Sequence, residues 1–381
     1  MKKLLSVIAL IMILCFTACD VSTDFSKSPY LIYTGSNSQM KVVWQMNNTA
    51  DCKISWGYAE DHYDLGSATT AENSSTLNEH LHSFTIAGLT PGTKYYYQVT
   101  ATGVDTVRKG SFYAAPASDA TKVNFIAWGD SRSGADNLNN VTSPAVIQLI
   151  NSDESYRTFM LYPGDITDDG DIESYWTDQF FGLANVATII ANVPLVSSWG
   201  NHESFGLLLK KYLPYPYVDG LYWSFDYGPA HVAVVDQNSD YSTGSNQYKW
   251  LENDLASSAK KWKFILLHKP GWSAYSTNIL EGHPNEAAVQ NYIQPLCEAY
   301  KVAILFAAHN HYYARAEVNG IVHITTAGAG APFYDPDNSQ PNLILTNKTM
   351  HFCKVQINGN NLQLTAVKPD GTVIDSFSLS K

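Results

Sequence analysis

The chain has 381 residues, 45% of them hydrophobic, 13% aromatic and only 15% charged. That balance supports sizeable buried cores in two or three domains and argues against long disordered regions. A formal net charge of −11 with no basic run speaks against nucleic acid or anionic lipid surfaces as partners, and an anionic substrate would need a local positive centre.

In chain order, MKKLLSVIALIMILCFTACD reads as an export signal: Lys2 and Lys3 form the positive start, Leu4 to Phe16 the apolar stretch, and Thr17-Ala18 the small residues before Cys19. The apolar run is short for a membrane span, which takes ~20 residues. FTAC resembles the bacterial lipoprotein box, which implies lipid on Cys19 and a place in the bacterial cell envelope, with residues 20–27 as a polar tether. Simple secretion is the alternative. Cys52, Cys297 and Cys353 then remain, too few and too scattered for a disulfide framework or a CxxC zinc site; a single bridge, for example Cys297 to Cys353, is compatible with the sequence but not deducible from it.

Residues 28–116 read as an all-β sandwich of fibronectin type III kind. YLIYTG, MKVVWQM, CKISWGY, HSFTIAGL and KYYYQVTATG are short β-branched and aromatic runs separated by turn residues. In LTPGTKYYYQV, Pro91-Gly92 turns the chain and Tyr95 stands where a tyrosine corner is expected. His80 and His82 read as surface residues.

AAPASDATK is a small, polar linker. From residue 117 onward strands alternate with helical stretches, the pattern of an α/β domain. KVNFIAW, TFMLYP, VPLVSSW, HVAVVD, WKFILL, VAILFAA and IVHITTAG are the strands. Ser143-Pro144 reads as an N-cap followed by proline at the first helical position. Helices are also predicted over SNQYKWLENDLASS and over NEAAVQNYIQPLCEAY, where Pro295 predicts a kink. The tail from Met350 is β again, with turns at Asn358-Gly359-Asn360 and Pro369-Asp370-Gly371, and is assigned to the same domain.

Five strands end in similar chemistry: Gly129-Asp130-Ser131-Arg132, Gly164-Asp165-Ile166-Thr167-Asp168, Gly200-Asn201-His202-Glu203, His268-Lys269-Pro270 and His309-Asn310-His311. Active groups in α/β sheets gather at the carboxyl ends of strands. Carboxylate, amide oxygen and imidazole together suit borderline divalent metals. Histidines at i and i+2 of an extended segment point the same way, so His309 and His311 can serve one centre. The glycines before the polar residues are read as sharp backbone turns.

GDSR, GDITD, GNHE, HKP and HNH resemble the motif series of the calcineurin-like metallophosphoesterases. HNHYYAR and ITTAGAGAP, with the N-terminal β module, are similar to the purple acid phosphatase branch. The resemblance implies an α/β domain of β-sheets sandwiched by helices and a dinuclear site. Asp165 would bridge two transition or divalent ions (zinc, manganese, iron or a mixture), Asp130 and His311 would bind the first, and Asn201, His268 and His309 the second. It further implies hydrolysis of phosphate monoesters by a dimetal-activated hydroxide, with His202 contacting phosphate or protonating the leaving oxygen. Phosphodiester hydrolysis and a non-catalytic surface lipoprotein with a decayed site are the alternatives.

Three departures bear on that reading. Asp168 stands where purple enzymes have a tyrosine, so a ferric-tyrosinate centre is not expected; Asp168 either ligates directly or holds another ligand. Arg132 replaces a histidine or glycine and reads either as a phosphate clamp or as a salt bridge to the acidic 168–171 loop. Thr277 and Asn278 stand where a histidine pair flanks the leaving group. His283 can substitute for that pair, although a loop histidine is ordinarily exposed.

Overall fold

The computed structural model describes residues 24–72, 80–276 and 282–381. Cys19, the residues before it, Thr277 and Asn278 lie outside the described residues. Among the described residues no helix is long and apolar enough to cross a membrane.

The N-terminal part contributes β1 (Phe25–Ile32), β2 (Gln39–Met46), β3 (Cys52–Gly57), β4 (Gly66–Thr70), β5 (Leu81–Ala87), β6 (Lys94–Ala101) and β7 (Arg108–Tyr113). β4-β3-β6-β7 form one sheet that packs on β1, β2 and β5. Alternation explains the sandwich: along β6, Tyr95, Tyr97, Val99 and Ala101 are buried and the residues between them are not. The Tyr95 hydroxyl accepts from the Thr90 backbone N–H at 2.9 Å, the tyrosine corner that LTPGTKYYYQV predicts.

Beyond it run β8 (Lys122–Ala127), β9 (Met160–Tyr162), β10 (Leu195–Ser197), β11 (Trp223–Tyr227), β12 (Ala230–Val234), β13 (Trp262–Leu266), β14 (Ile304–Ala307), β15 (Tyr313–Val318), β16 (Ile321–Thr326), β17 (Leu343–Asn347), β18 (Phe352–Asn358), β19 (Asn361–Val367) and β20 (Val373–Ser380). They make two sheets, one of order β11-β12-β13-β14-β16-β15-β17 and one of order β20-β19-β18-β8-β9-β10, which continues into β1-β2-β5. The two sheets meet face to face, with Phe125 of β8 edge-on to Phe264 of β13 and Phe306 of β14 at 5.4 and 6.1 Å. Helices cover the outer faces. Phe264 and Leu266 enter the inter-sheet core, whereas Ile265 and Leu267 pack on Leu251, Leu255, Val289 and Ile293 of the outer helices. Burial on both faces is why WKFILL is an unbroken apolar run. The tail joins this domain, as predicted, through β18 paired antiparallel to β8.

Four expectations are corrected. The tether stops short of residue 27: Phe25 to Lys27 already belong to β1, and the buried Lys27 ammonium bonds Gln45, Glu173 and Thr177. Its partners are up to 150 positions away, so the sequence shows only a polar residue. His82 is fully buried, stacked on Trp44 with ring centroids 5.5 Å apart and within 3.2 Å of Thr70 Oγ1; burial lowers its pKa. Ser143 is not an N-cap but already helical, because helix Ala135–Asn137 runs through a π turn, Leu138–Thr142, into helix Ser143–Ser152. The Asn139 carbonyl, left without an intrahelical donor near Pro144, accepts from Asn185 Nδ2 at 2.8 Å. A similar π turn, Val289–Ile293, precedes Pro295. Finally, Cys52, Cys297 and Cys353 are buried free thiols, so no Cys297–Cys353 bridge exists.

The two parts are also more tightly joined than the linker suggests. β1 runs parallel to β10, with Ile32 opposite Leu195, and Tyr97 donates to the Ala191 carbonyl at 3.0 Å.

Candidate metal centre

β8, β9 and β10 from one sheet and β13 and β14 from the other end at one edge, delivering Asp130, Asp165, Asn201, His268, His309 and His311 to a shared space. Asp130, Asp165 and His309 all adopt left-handed backbone, with φ of 57°, 53° and 65°. Such conformations cost energy for non-glycine residues and are held here by the surrounding loops. The His309 N–H donates to Asp130 Oδ2 at 2.6 Å, and the His202 N–H to Asp165 Oδ1 at 3.0 Å.

The motif glycines play a different part from the one expected. Gly164 does turn at φ +85°, but Gly129 and Gly200 do not have positive φ. They are required for space: a Cβ on Gly200 would stand 2.3 Å from Asp165 Oδ1, and one on Gly129 would stand 2.8 Å from Pro163 Cδ. Along Ala327-Gly328-Ala329-Gly330 the backbone approaches the site closely: Gly330 and Ala331 donate their N–H groups to the Asp130 carbonyl, and a Cβ on Gly134 would lie 2.0 Å from the Gly330 oxygen.

Two groups of donor atoms converge, Asp165 with His268 and His309, and Asp165 with Asp130 and His311. The His268 Nδ1–H donates to the Pro163 carbonyl at 2.7 Å, which turns Nε2 inward. Around that Nε2 lie Asn201 Oδ1 at 3.0 Å, His309 Nδ1 at 3.1 Å and Asp165 Oδ1 at 3.3 Å. A single proton can serve one of these neighbours, whereas a cation serves all four atoms. At the other group the His311 Nδ1–H donates to the Pro332 carbonyl at 2.6 Å, leaving buried Nε2 without a hydrogen-bond partner, and Asp130 Oδ1 lacks one as well. The orphaned atoms and the shared carboxylate fit two cations bridged by Asp165.

Electrostatics agree with that chemistry. Burial pushes Asp130 well above the usual carboxylate range, with Asp165 adding to the rise against the pull of His268. Asp165 resists its own burial and is held well below that range by His268 and His202. Burial disfavours charge on His268, but Asp165 and Asp130 raise it to about 9. Burial keeps His309 neutral, with His268 and His283 adding to the fall, and takes His311 to about 3 with help from Arg132. A cation between these atoms must displace the His268 proton, so binding releases protons and tightens as pH rises.

Supporting residues complete the site. Glu203 is fully buried and accepts three backbone N–H groups, from Asp165 at 3.0 Å, Ile166 at 2.6 Å and Gly200 at 2.8 Å, locking the second and third loops together. Burial, reinforced by Asp165, raises its pKa to about 7. Gln237 Oε1 accepts from the N–H groups of His268 and Lys269. The GNHE motif contains Glu203, but its spacing gave no sign of this clamp, and nothing in the sequence singles out Gln237.

The remaining predicted residues sort as follows. His202 Nδ1 donates to the Asp168 carbonyl at 2.7 Å, leaving Nε2 as the accessible nitrogen. Asp168 is not brought into either donor group: its carboxylate bonds Ser133 Oγ and Gln179 Nε2, so the structure assigns it no direct ligand role. Arg132 does not reach the 168–171 loop; its Nε lies 3.5 Å from Asp165 Oδ2 and its Nη2 donates to Tyr334 Oη at 2.7 Å. His283 is not an exposed loop residue but is half-buried and stacked on His309, ring centroids 4.1 Å apart. Tyr334, unmarked in the sequence, stacks on His311 at 4.3 Å and stands edge-on to His283 at 5.5 Å.

Comparison with known proteins bears on the family and the fold. The calcineurin-like phosphoesterase family model matches residues 135–313, and the purple acid phosphatase N-terminal domain model matches residues 27–114. Purple acid phosphatase 22 of Arabidopsis thaliana is 28% identical over 343 residues, spanning 81% of this chain and 74% of that protein. A protein called probable inactive purple acid phosphatase 1, also from Arabidopsis thaliana, is 26% identical over 415 residues, spanning 90% of this chain and 67% of its own. Among solved structures, purple acid phosphatase PPD1 from yellow lupin (Lupinus luteus) seeds superposes with a TM-score of 0.78 at 20% identity, covering 92% of this chain and 74% of that one.

Proposed function

Because this chain is a calcineurin-like metallophosphoesterase carrying a purple acid phosphatase N-terminal domain, we propose that it hydrolyses phosphate monoesters at the edge where the five strand ends meet. The observation that carries the reading is Asp165, buried between two donor groups that share its carboxylate. Asp165, Asp130 and His311 would hold one cation, and Asp165, Asn201, His268 and His309 the other. When bound, such cations would supply positive charge for the phosphate and lower the pKa of a water.

The chain's own groups supply the rest. The Arg132 guanidinium, steadied by Asp165 and Tyr334, offers its unused N–H groups to phosphate oxygens. His202, oriented by the Asp168 carbonyl, delivers a proton from Nε2 to the leaving oxygen. His283, stacked on His309, stands beside the donor group of Asp165, His268 and His309. Glu203 keeps Asp165 and Gly200 in register for this work.

The test is elemental analysis of chelator-free protein together with kinetics on 4-nitrophenyl phosphate and bis(4-nitrophenyl) phosphate. About two transition metals per chain and faster monoester turnover are expected. Metals with no turnover of either ester would leave a binding protein, and faster diester turnover would make it a phosphodiesterase. Export and lipid attachment at Cys19 belong to the same proposal and rest on the signal-like start and FTAC; radiolabelled palmitate should enter the wild-type chain in bacteria and not Cys19→Ala.

A further inference from the structure

The sequence leaves monoester against diester preference open, and the arrangement around Arg132 bears on it. The guanidinium is fixed at two points, Nε at 3.5 Å from Asp165 Oδ2 and Nη2 donating to Tyr334 Oη at 2.7 Å. The hydrogen bond to Tyr334 gives the planar fork its direction, and the ion pair holds it beside the shared carboxylate. Its remaining N–H groups have no hydrogen-bond acceptor among the described residues, and Nε itself is buried without a bond of normal length. Tyr334 is placed with equal care: its ring lies nearly parallel to His311, at 13°, and its backbone N–H donates to the His311 carbonyl at 3.4 Å. The tyrosine therefore ties the guanidinium to the same histidine that faces the shared carboxylate.

We infer that Tyr334 is a positioning residue which, through Arg132, makes the site selective for phosphate monoesters over diesters. This rests on the phosphoesterase reading above. A monoester presents three terminal oxygens and two negative charges near neutral pH, whereas a diester presents two oxygens and one charge. The additional anionic oxygen is what a fixed, charged fork recognises, and a hydrogen bond to a charged partner loses most when its geometry loosens. Without the Tyr334 hydroxyl, Arg132 keeps only its longer contact to Asp165 and swings on a flexible stem.

The experiment is a double-mutant cycle on the full chain with Tyr334→Phe, Arg132→Lys and the double variant. Tyr334→Phe keeps the ring on His311. The expected result is a monoester-to-diester ratio of kcat/KM that falls about tenfold in Tyr334→Phe, equivalent to about 1.4 kcal/mol. Binding of inorganic phosphate, measured by calorimetry, should weaken by a similar factor while metal content stays at the wild-type level. In the Arg132→Lys background the same substitution should add less than about twofold, because its effect runs through the guanidinium. An unchanged ratio, additive effects in the cycle, or loss of metal from Tyr334→Phe would each overturn the inference while leaving the phosphoesterase reading standing. Wild-type protein that turns over neither ester overturns both.

Discussion

Gly200→Ala is the sharpest single test of how the site is built. The methyl group would sit 2.3 Å from Asp165 Oδ1, 2.4 Å from Asp165 N and 2.6 Å from Glu203 Oε2. Ordinary contacts lie near 3.5 Å, so the loops must part by about 1 Å. Two of the atoms belong to side chains fixed by backbone hydrogen bonds and the third is backbone, so no flexible end can swing away. Overpacking of this kind costs about 1–3 kcal/mol, and weakening the two Glu203 bonds to Asp165 and Gly200 adds roughly 1 kcal/mol each. The expected loss is about 3–5 kcal/mol. Urea denaturation in the presence of chelator isolates this packing cost from stabilisation by bound metal. Activity should fall at least about 100-fold, because a 1 Å displacement of reacting groups costs that much. Gly129→Ala, whose methyl group would meet the Pro163 ring at 2.8 Å, should be milder. If Gly200→Ala unfolds within about 0.5 kcal/mol of wild type and keeps full activity, the proposed packing of the second and third loops is wrong.

Asp165→Asn removes the carboxylate shared by both donor groups, and elemental analysis should find metal lost from both sites rather than one. Metal affinity, measured by competition with a coloured chelator, should rise with pH through the range in which His268, raised to about 9, gives up its proton. His231, buried between Asp226 and Asp254, resists its own burial but is raised to about 9 by those carboxylates. Its folded pKa exceeds the unfolded value near 6.5, so its contribution is complete below pH ~6.5 and lost as pH climbs through ~9. His231→Gln should therefore destabilise by about 1–2 kcal/mol at pH 6, with the half-exposed Asp226 counted at a discount, and far less at pH 10. Cys52, Cys297 and Cys353 should resist a thiol reagent in the native protein and react once it is unfolded in urea.

Much of this molecule is decided locally and is readable along the chain. The two periodicities separate a sandwich from an α/β domain because side-chain alternation and helical spacing are properties of short segments. The donor residues are readable for a related reason: each closes a buried strand, where a polar residue has no structural excuse. Asp130, Asp165, Asn201, His268, His309 and His311 were legible as a set before any of them could be placed in space.

What the tertiary structure alone decides depends on partners far apart in sequence. Lys27 looks like tether and is buried because Glu173 and Thr177 receive its ammonium, and His82 looks exposed until Trp44 closes over it. Gly200 looks like a turn and proves to be a space reserved for Asp165. Arg132 reads either as a phosphate clamp or as a salt bridge to the 168–171 loop, and its actual neighbours, Asp165 and Tyr334, stand 33 and 202 positions away. A sequence records which groups a chain possesses and how each short stretch prefers to bend. Which charge a guanidinium faces, and which backbone crowds a glycine, follow only when separate strand ends are brought within a few ångströms.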